Sequence, residues 1–556
     1  MTERNHSPII FVLWSLGLIF LCFSFPLPQC YADSFNTTIP TVVDPRYEIQ
    51  ILVPGSHFHG IHGITFDSED NLYAGSVFGQ SIYTVDVNSG DVREYIGPPL
   101  GMADDLEFGP DGRIYYTSFS LGKLHCKSAD GKVIELADGL PGINSLAFNH
   151  EGRLFASQLF YEDTLCEIDL SGEKKTRMII EKPGGLNGFD FGPDNKLYGP
   201  LQSKGAIGRI DVETGKMEVV AEGLEKPTAV NFDSKGNLFA VCNSPSCEVI
   251  RIDVKTGRKT VIAKAANGID NLAIDSKDRI FINTPSNNGI YEIDKKTGKS
   301  RSIVEGKLNL PAGVAVVTGE EGDIVYLSDL ASYRKADGFT GEVTTLNKGI
   351  SFPSGISAND STVILSSYFR DALEVIDRTT NESRKIISGF TTPTNALLMD
   401  DGSLIVAEIT TGNLLRVTGE EGKERTVIAQ GLNTPVYLAR AGNDVVFVTE
   451  AIPGTVARIN LNTGDKKIIA SGLKMPEGVG VLPDGKLIVV ETETKQLSRI
   501  DPASGTITPI VINLAVGFPD FSGNPHSLIT GVAVSNSGTI YVTGDIENVL
   551  YKIIPK

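Results

Sequence analysis

Short runs of alternating apolar and polar residues recur along the chain without a helical period inside the repeat. Six copies are clear, and their starting residues step by 42, 40, 43, 41 and 42 positions. A fixed period of about 40 residues is typical of propellers and solenoids. The copies are FDSEDNLYAG from residue 66, FGPDGRIYYT from 108, FNHEGRLFAS from 148, FGPDNKLYGP from 191, FDSKGNLFAV from 232 and IDSKDRIFIN from 274.

Each repeat predicts four short antiparallel strands. An apolar strand such as GITF leads through an Asp/Gly turn such as GPDG to a second strand such as RIYYT. A variable loop follows, and the third strand ends in a hairpin turn that begins with Asp, as at Asp211 and Asp253. A fourth strand such as KMEVVAEGL completes the unit. Four antiparallel strands per repeat indicate a propeller blade.

Six less regular copies follow, which makes twelve units. Propellers usually have about four to eight blades, so we predict an all-β protein with two tandem six-bladed propellers. The predicted division is a linker at 33–46, a first propeller at 47–298 and a second at 299–556.

The last unit lacks a fourth strand, and an additional strand, YEIQILVPG (47–55), precedes the first unit. We expect this strand to close the first ring and KSRSIVEG (299–306) to close the second, which would remove exposed strand edges. The alternative is that residues 47–55 complete the last blade, so that the chain crosses twice between the rings.

The residue before each innermost strand is expected to face the mouth of the central channel. In the first ring these residues include several oxygen donors, which suit a hard cation such as Ca²⁺. Asp105 and Asn271 lie beside them and are expected to support the ligands. The alternative is that Asp and Asn simply cap turns. We name this set the axial column: His62, Asp104, Asn144, Asn187, Thr228 and Asp270. The corresponding residues of the second ring are smaller or apolar and predict a scaffold or binding surface: Ala312, Ser354, Thr394, Val436, Glu477 and Thr530.

Charge and targeting signals narrow the possible functions. The 556-residue chain has a formal charge of −18 and a pI near 5.0, which argues against nucleic acid and anionic membranes as partners.

The apolar run 9–25 followed by CYA (30–32) predicts a signal peptide at 1–32, hence secretion or a periplasmic location, with an uncleaved anchor as the alternative. Export permits a disulfide in CNSPSC (242–247), although two buried thiols are the alternative.

The repeat, the export signal and the Asn/Asp column resemble the gluconolactonase/regucalcin superfamily of six-bladed propellers, and also paraoxonases and diisopropylfluorophosphatase. The turns equally resemble NHL-repeat propellers. The resemblance implies one Ca²⁺, or a similar divalent ion, on the axis that activates a lactone or ester. Four column residues would fill the ligand positions: Asp270, Asp104, Asn144 and Asn187. Their identities are permuted relative to the family, since Asp replaces Glu and the second acid stands where the family has Asn.

Two functions follow as hypotheses. The first is a metal-dependent hydrolase in which His62, Asp104 or Asp270 is the general base. Its predicted substrate pocket comprises Phe78, Phe119, Phe160, Tyr161, Thr228 and Asn271. No Gly-x-Ser-x-Gly motif offers a serine route. The second is a non-catalytic NHL-type platform for a protein or glycan.

Three histidines lie close together in SHFHGIH (56–62). One short segment rarely supplies a tetrahedral zinc site. We therefore expect His57 and His59 to be loop residues and only His62 to join the column.

Overall fold

The computed structural model describes residues 39–556 except 172–175, 245, 266–267, 331, 348–351, 420 and 520–528. The predicted signal peptide and residues 33–38 of the linker lie outside these residues. The described chain is all-β, as predicted, and its helices are short 3-10 turns at Phe119–Leu121, Gln202–Lys204 and Pro285–Asn287. Among the described residues, no helix has the length and hydropathy needed to cross a membrane.

Residues 58–306 form one compact unit, the first ring. It contains six four-stranded antiparallel sheets, whose innermost strands contact one another in closed circular order. Blade 1 comprises Ile61–Phe66, Leu72–Ser76, Ser81–Val85 and Val92–Ile96; blade 2, Leu106–Phe108, Ile114–Ser118, Lys123–Lys127 and Val133–Ala137; blade 3, Ile143–Phe148, Leu154–Gln158, Thr164–Ile168 and Arg177–Glu181; blade 4, Asp190–Phe191, Leu197–Leu201, Ala206–Asp211 and Lys216–Glu222; blade 5, Pro227–Phe232, Leu238–Cys242, Glu248–Ile252 and Lys259–Lys264; blade 6, Leu272–Ile274, Ile280–Thr284, Gly289–Ile293 and Ser300–Val304.

Residues 307–556 together with residues 39–57 form the second unit, which is likewise a closed ring of six sheets. Blade 7 comprises Val314–Gly319, Gly322–Ser328, Tyr333–Asp337 and Val343–Asn347; blade 8, Gly355–Ala358, Thr362–Ser367, Ala372–Asp377 and Ser383–Ser388; blade 9, Pro393–Leu398, Leu404–Glu408, Asn413–Thr418 and Glu424–Ala429; blade 10, Pro435–Arg440, Val445–Glu450, Thr455–Asn460 and Lys466–Ser471; blade 11, Pro476–Val481, Leu487–Glu491, Gln496–Ile500, Ile507–Ile512 and the added Thr41–Val42; blade 12, Val532–Val534, Ile540–Gly544, Val549–Pro555 and Tyr47–Val53.

The expected closure of the rings is wrong. Strand Tyr47–Val53 pairs with Val549–Pro555 and completes blade 12 of the second ring. Strand Ser300–Val304 pairs with Gly289–Ile293 and completes blade 6 of the first ring. The second pairing is a local hairpin, which costs little loop-closure entropy and so fixes where this strand belongs. The ring boundary therefore lies near residue 306, and residues 47–53 belong to the second ring.

Hydrophobic cores lie between neighbouring blades. Between blades 6 and 1, for example, Phe58, Ile61, Leu72 and Phe281 form one buried cluster. The sheets are therefore held face to face by apolar burial, which contributes roughly 25 cal/mol per Å².

The hairpin turns are structural, as expected. The carboxylate of Asp211 accepts the backbone N–H groups of Glu213 and Thr214, and Asp253 does the same for Lys255 and Thr256.

Candidate functional site at the axis of the first ring

The axial column of the first ring is open, whereas that of the second is closed. The side chains of His62, Asp270 and Asp104 are 29%, 24% and 12% exposed. All six corresponding residues of the second ring are buried, including Glu477 at 1% exposed. Of the two columns, only that of the first ring therefore has polar side chains that a ligand can reach.

The axis of the second ring is filled by Tyr437, whose hydroxyl donates to the carbonyl of Val314 at 2.9 Å. Val314 opens the innermost strand of the opposite blade, so the phenol ring spans the centre. Neighbouring innermost strands approach so closely that a Cβ would clash with the backbone of the next blade at four positions: Gly313, Gly355, Gly478 and Gly531.

His62 lies between the two carboxylates of the column. Its Nδ1 is 3.0 Å from Asp270 Oδ2 and 3.6 Å from Asp104 Oδ1. Burial lowers the pKa of His62, but the hydrogen bond with Asp270 and the charges of both carboxylates outweigh burial and raise it to about 9. At neutral pH the imidazole is therefore a cationic hydrogen-bond donor.

The chain of contacts continues through two amides. Asn144 Nδ2 donates to Asp104 Oδ2 at 2.5 Å. Ser145 Oγ lies 3.0 Å from Asn144 Oδ1 and 3.3 Å from Asn187 Oδ1. Five of the six blades thus contribute to one continuous polar arc around the axis, which we name the axial arc: Asp270, His62, Asp104, Asn144, Ser145 and Asn187.

Thr228 stands outside the axial arc. It is buried, and its Oγ1 lies 3.5 Å from the Val241 carbonyl and 3.4 Å from the Ile269 carbonyl. A threonine hydroxyl donates readily to such backbone acceptors. Contrary to the sequence prediction, Thr228 does not line the open face of the ring.

Burial raises the pKa of Asp104 to about 7; the His62 charge opposes this rise, and the charges of Asp270 and Asp105 reinforce it. Burial also raises the pKa of Asp105 to about 7. Asp104 thus has one cationic neighbour, His62, and two carboxyl neighbours, Asp270 and Asp105.

A deeper layer of carboxylates lies below the column. Asp105 accepts a hydrogen bond from Asn271 Nδ2 at 3.2 Å, and Asn271 is half-buried. Glu107 and Asp190 follow further along the innermost strands. Burial raises the pKa of Glu107 well above its usual value and that of Asp190 to about 6.

Aromatic residues gather on the same face as the column, because the loops between second and third strands lie there. The ring of Phe119 is 5.9 Å from those of Phe160 and Tyr161. Phe160 is 62% exposed, so this group presents an apolar surface to solvent. A groove of about 200 Å³ lies beside it, lined in part by Phe119, Leu121, Leu140, Pro141 and Tyr161. Phe78 occupies the equivalent loop of blade 1 and is half-buried.

The three histidines of SHFHGIH do not form one cluster, as expected from the sequence. His57 is exposed, whereas His59 is buried with its backbone bonded to the Ser76 hydroxyl. The described cysteines are all thiols, so Cys242 and Cys247 form no disulfide in this structure.

The donor set of the arc fits a divalent cation by its chemistry. Within the described residues, no group of three or more His, Cys, Asp and Glu side chains is arranged as a metal cluster. The predicted set does not require one, since it combines Asp104 and Asp270 with the amide oxygens of Asn144 and Asn187. Carboxylate and amide oxygens are ligands that Ca²⁺ accepts.

Residues 193–330 match the family model of the SMP-30/Gluconolactonase/LRE-like region. This stretch is similar to that family region. The resemblance predicted from the sequence is confirmed there. The gluconolactonase-like region includes Asp270 and Asn271 of the site, whereas His62, Asp104 and Asn144 precede it.

Individual relatives are distant. Quinoprotein glucose dehydrogenase B from Acinetobacter calcoaceticus is 31% identical over 93 residues, which cover 14% of this chain and 20% of that protein. A putative gluconolactonase of known structure is 14% identical with a TM-score of 0.38, over 48% of this chain and 99% of the other. A gluconolactonase from Xanthomonas campestris is 14% identical with a TM-score of 0.37, over 47% and 96%. The fold therefore rests on the strand pairing described above.

Sequence reasoning missed Ser145, Glu107 and Asp190. A signal for the two acids was present, because Asp105 and Glu107 alternate along one strand and so share a face. Ser145 offered no comparable signal, since serine is common in strands and turns alike.

Proposed function

We propose that the first ring binds a divalent cation, Ca²⁺ or a similar ion, and hydrolyses a lactone or ester at the axial arc. The observation that carries this proposal is the axial arc, in which contacts through His62 and Ser145 link Asp270, Asp104, Asn144 and Asn187 at the open axis of the first ring. The gluconolactonase-like region at 193–330 supports the substrate class.

The proposal gives the residues separate roles. The carboxylates of Asp104 and Asp270 and the amide oxygens of Asn144 and Asn187 would hold the ion. When bound, such an ion polarises a carbonyl and stabilises negative charge on its oxygen. A column carboxylate that the ion does not fully occupy would accept the proton of the attacking water, because His62 already carries its own proton at neutral pH.

The aromatic group would contact the rest of the substrate. Phe119, Phe160 and Tyr161 lie on the column face and present apolar surface, so an acyl or aryl substituent would bury area against them. We therefore expect aliphatic lactones and aryl esters to be better substrates than small polar lactones. Phe160→Ala should raise KM for the apolar substrates by about 3- to 10-fold, as the loss of roughly 1 kcal/mol of burial requires.

Export is part of the proposal. The signal segment predicted at residues 1–32 would place the enzyme outside the cytoplasm.

Thermal unfolding with EDTA and with Ca²⁺ tests the cation site. A ligand that binds only the folded state stabilises it by about 2.7 kcal/mol at 100 times its Kd. Asp104→Asn and Asp270→Asn should abolish the shift. Asp253→Asn is the matched control, since Asn460 occupies the same turn position in the second ring.

Hydrolysis of a lactone and aryl-ester panel tests the reaction. Wild-type activity that Asn187→Ala abolishes would support the enzyme. A wild-type protein with neither a Ca²⁺ shift nor hydrolysis would contradict the proposal and favour the non-catalytic platform for a protein or glycan.

A further inference from the structure

The two amides of the axial column share one hydroxyl group. Ser145 Oγ is within hydrogen-bond distance of Asn144 Oδ1 and Asn187 Oδ1, at 3.0 and 3.3 Å. Ser145 is 2% exposed, so bulk water does not replace this contact. A hydroxyl carries one proton and can donate to only one of the two oxygens at a time. The orientations of the two amides are therefore linked through Ser145.

Ser145 can also support either orientation of an amide. In this structure Asn144 directs Nδ2 to Asp104 and Oδ1 to Ser145. If the amide turns by half a rotation, its oxygen takes the place of Nδ2 and Nδ2 faces Ser145. The hydroxyl then accepts where it previously donated, because it has both a proton and lone pairs. An alanine at this position would stabilise neither orientation.

The direction of the amide matters for the chemistry of the arc. Asn144 paired through Nδ2 neutralises part of the Asp104 charge, whereas a cation needs the amide oxygen. Asn187 Oδ1 accepts the Gly188 N–H at 2.9 Å and keeps a second lone pair. The cation-binding form therefore requires the Asn144 amide to turn and a lone pair of Asn187 to be free, and Ser145 is the residue that contacts both amides.

We propose that Ser145 is a positioning residue that orients Asn144 and Asn187 as ligands of the divalent cation. The inference rests on the proposed function, because it concerns the same site. Groups that hydrogen-bond to metal ligands fix their orientation, and their loss typically costs about 10- to 100-fold in metal affinity.

Calorimetric titration of the full chain with CaCl₂ tests this role without using activity. Ser145→Ala should bind Ca²⁺ about 10- to 100-fold more weakly than the wild type. Ser145→Cys keeps most of the volume but is a weak hydrogen-bonding group, so it should lose a similar factor. If volume alone mattered, the cysteine variant would bind like the wild type.

Ser118→Ala is the matched control. Ser118 is also buried in the first ring, and its Oγ contacts the Met102 carbonyl at 2.8 Å and His125 at 3.0 Å, outside the arc. This variant should retain wild-type affinity, and an equal loss would show that any missing buried hydroxyl weakens binding. Wild-type affinity in Ser145→Ala would overturn the inference alone. A wild type that binds no Ca²⁺ would overturn the proposed function and this inference with it.

Discussion

The side chain of Tyr437 closes the central channel of the second ring. Its hydroxyl donates to the Val314 carbonyl at 2.9 Å and accepts the Val314 N–H at 3.3 Å. Both backbone groups face the axis, where no neighbouring strand can pair with them. The phenol thus provides hydrogen-bond partners for the buried backbone of Val314 and also fills the channel.

Tyr437→Phe should destabilise the second ring by about 1–3 kcal/mol, because two buried backbone groups lose their partner. Denaturant unfolding measures this difference. Tyr333→Phe is the control, since the Tyr333 hydroxyl is buried and has no hydrogen-bond partner in the described residues. Equal stability of the two variants would contradict this role of Tyr437, and Ca²⁺ binding by the first ring should not change in either.

At the residue scale, the sequence predicted the positions of residues along the strands better than the orientations of their side chains. Repeat register placed His62, Asp104 and Asp270 at the start of innermost strands, where the structure has them. It could not predict that Thr228 turns toward backbone carbonyls, because a rotamer depends on neighbours from the adjacent blade. The same limit hid the role of Ser145.

Hydrogen bonds to carboxylates connect the innermost strands of neighbouring blades. The innermost strand of each blade has an open edge, and three acids of the first ring bond to backbone N–H groups of the following blade. Asp105 bonds to Leu146, Glu107 to Phe148 and Asp190 to Phe232, at 3.2, 3.2 and 2.8 Å. These bonds satisfy donors that would otherwise be unpaired.

Glu107→Gln should make the protein more stable at neutral pH. The folded state raises the pKa of Glu107, so above the unfolded pKa the folded chain holds a proton that the unfolded chain has lost. Wild-type stability therefore falls as pH rises from the unfolded pKa to the folded pKa, by about 1.4 kcal/mol for each pH unit in that window. Glutamine keeps the acceptor for Phe148 and does not titrate.

Unfolding free energies of both proteins between pH 4 and pH 8 check this prediction. The advantage of Glu107→Gln should be small at pH 4 and should grow with pH. A difference that is constant with pH would show that titration of Glu107 does not contribute.

The closing strands mark the limit of sequence reasoning at the level of elements. Repeat counting showed that one strand was missing at the end and one was extra at the beginning. The pattern of strand 300–304 suits either ring, and only its hairpin with 289–293 assigns it. Ring closure was therefore open to two solutions, and the less favoured one is observed.

The rings differ as whole bodies in how they are closed. Each blade of the first ring is one contiguous segment, and blades 6 and 1 meet through side chains. Asn283 Nδ2, for instance, donates to the His62 carbonyl at 2.5 Å. The second ring is closed by pairing between strands from distant parts of the chain.

Deleting residues 39–53 should destabilise the second ring and spare the first. The deletion removes the buried side chains of Tyr47, Leu52 and Val53 from two cores. At about 1.5–3 kcal/mol each, their loss should lower one calorimetric transition by about 10 °C or more. Deleting only residues 39–45 keeps the closing strand and should have little effect. A uniform decrease of all transitions would contradict independent rings.

The pairing of Tyr47–Val53 with Val549–Pro555 makes the first ring an insertion within the second. On the ribosome, the first ring has all its strands once residue 304 has emerged, whereas the second cannot close until residues 549–555 have been synthesised. At about 5–20 residues per second, the early strand waits for tens of seconds. The first ring, which contains the candidate site, can therefore fold long before the second ring is complete. During that time strand Tyr47–Val53 has no partner strand and is accessible to a chaperone.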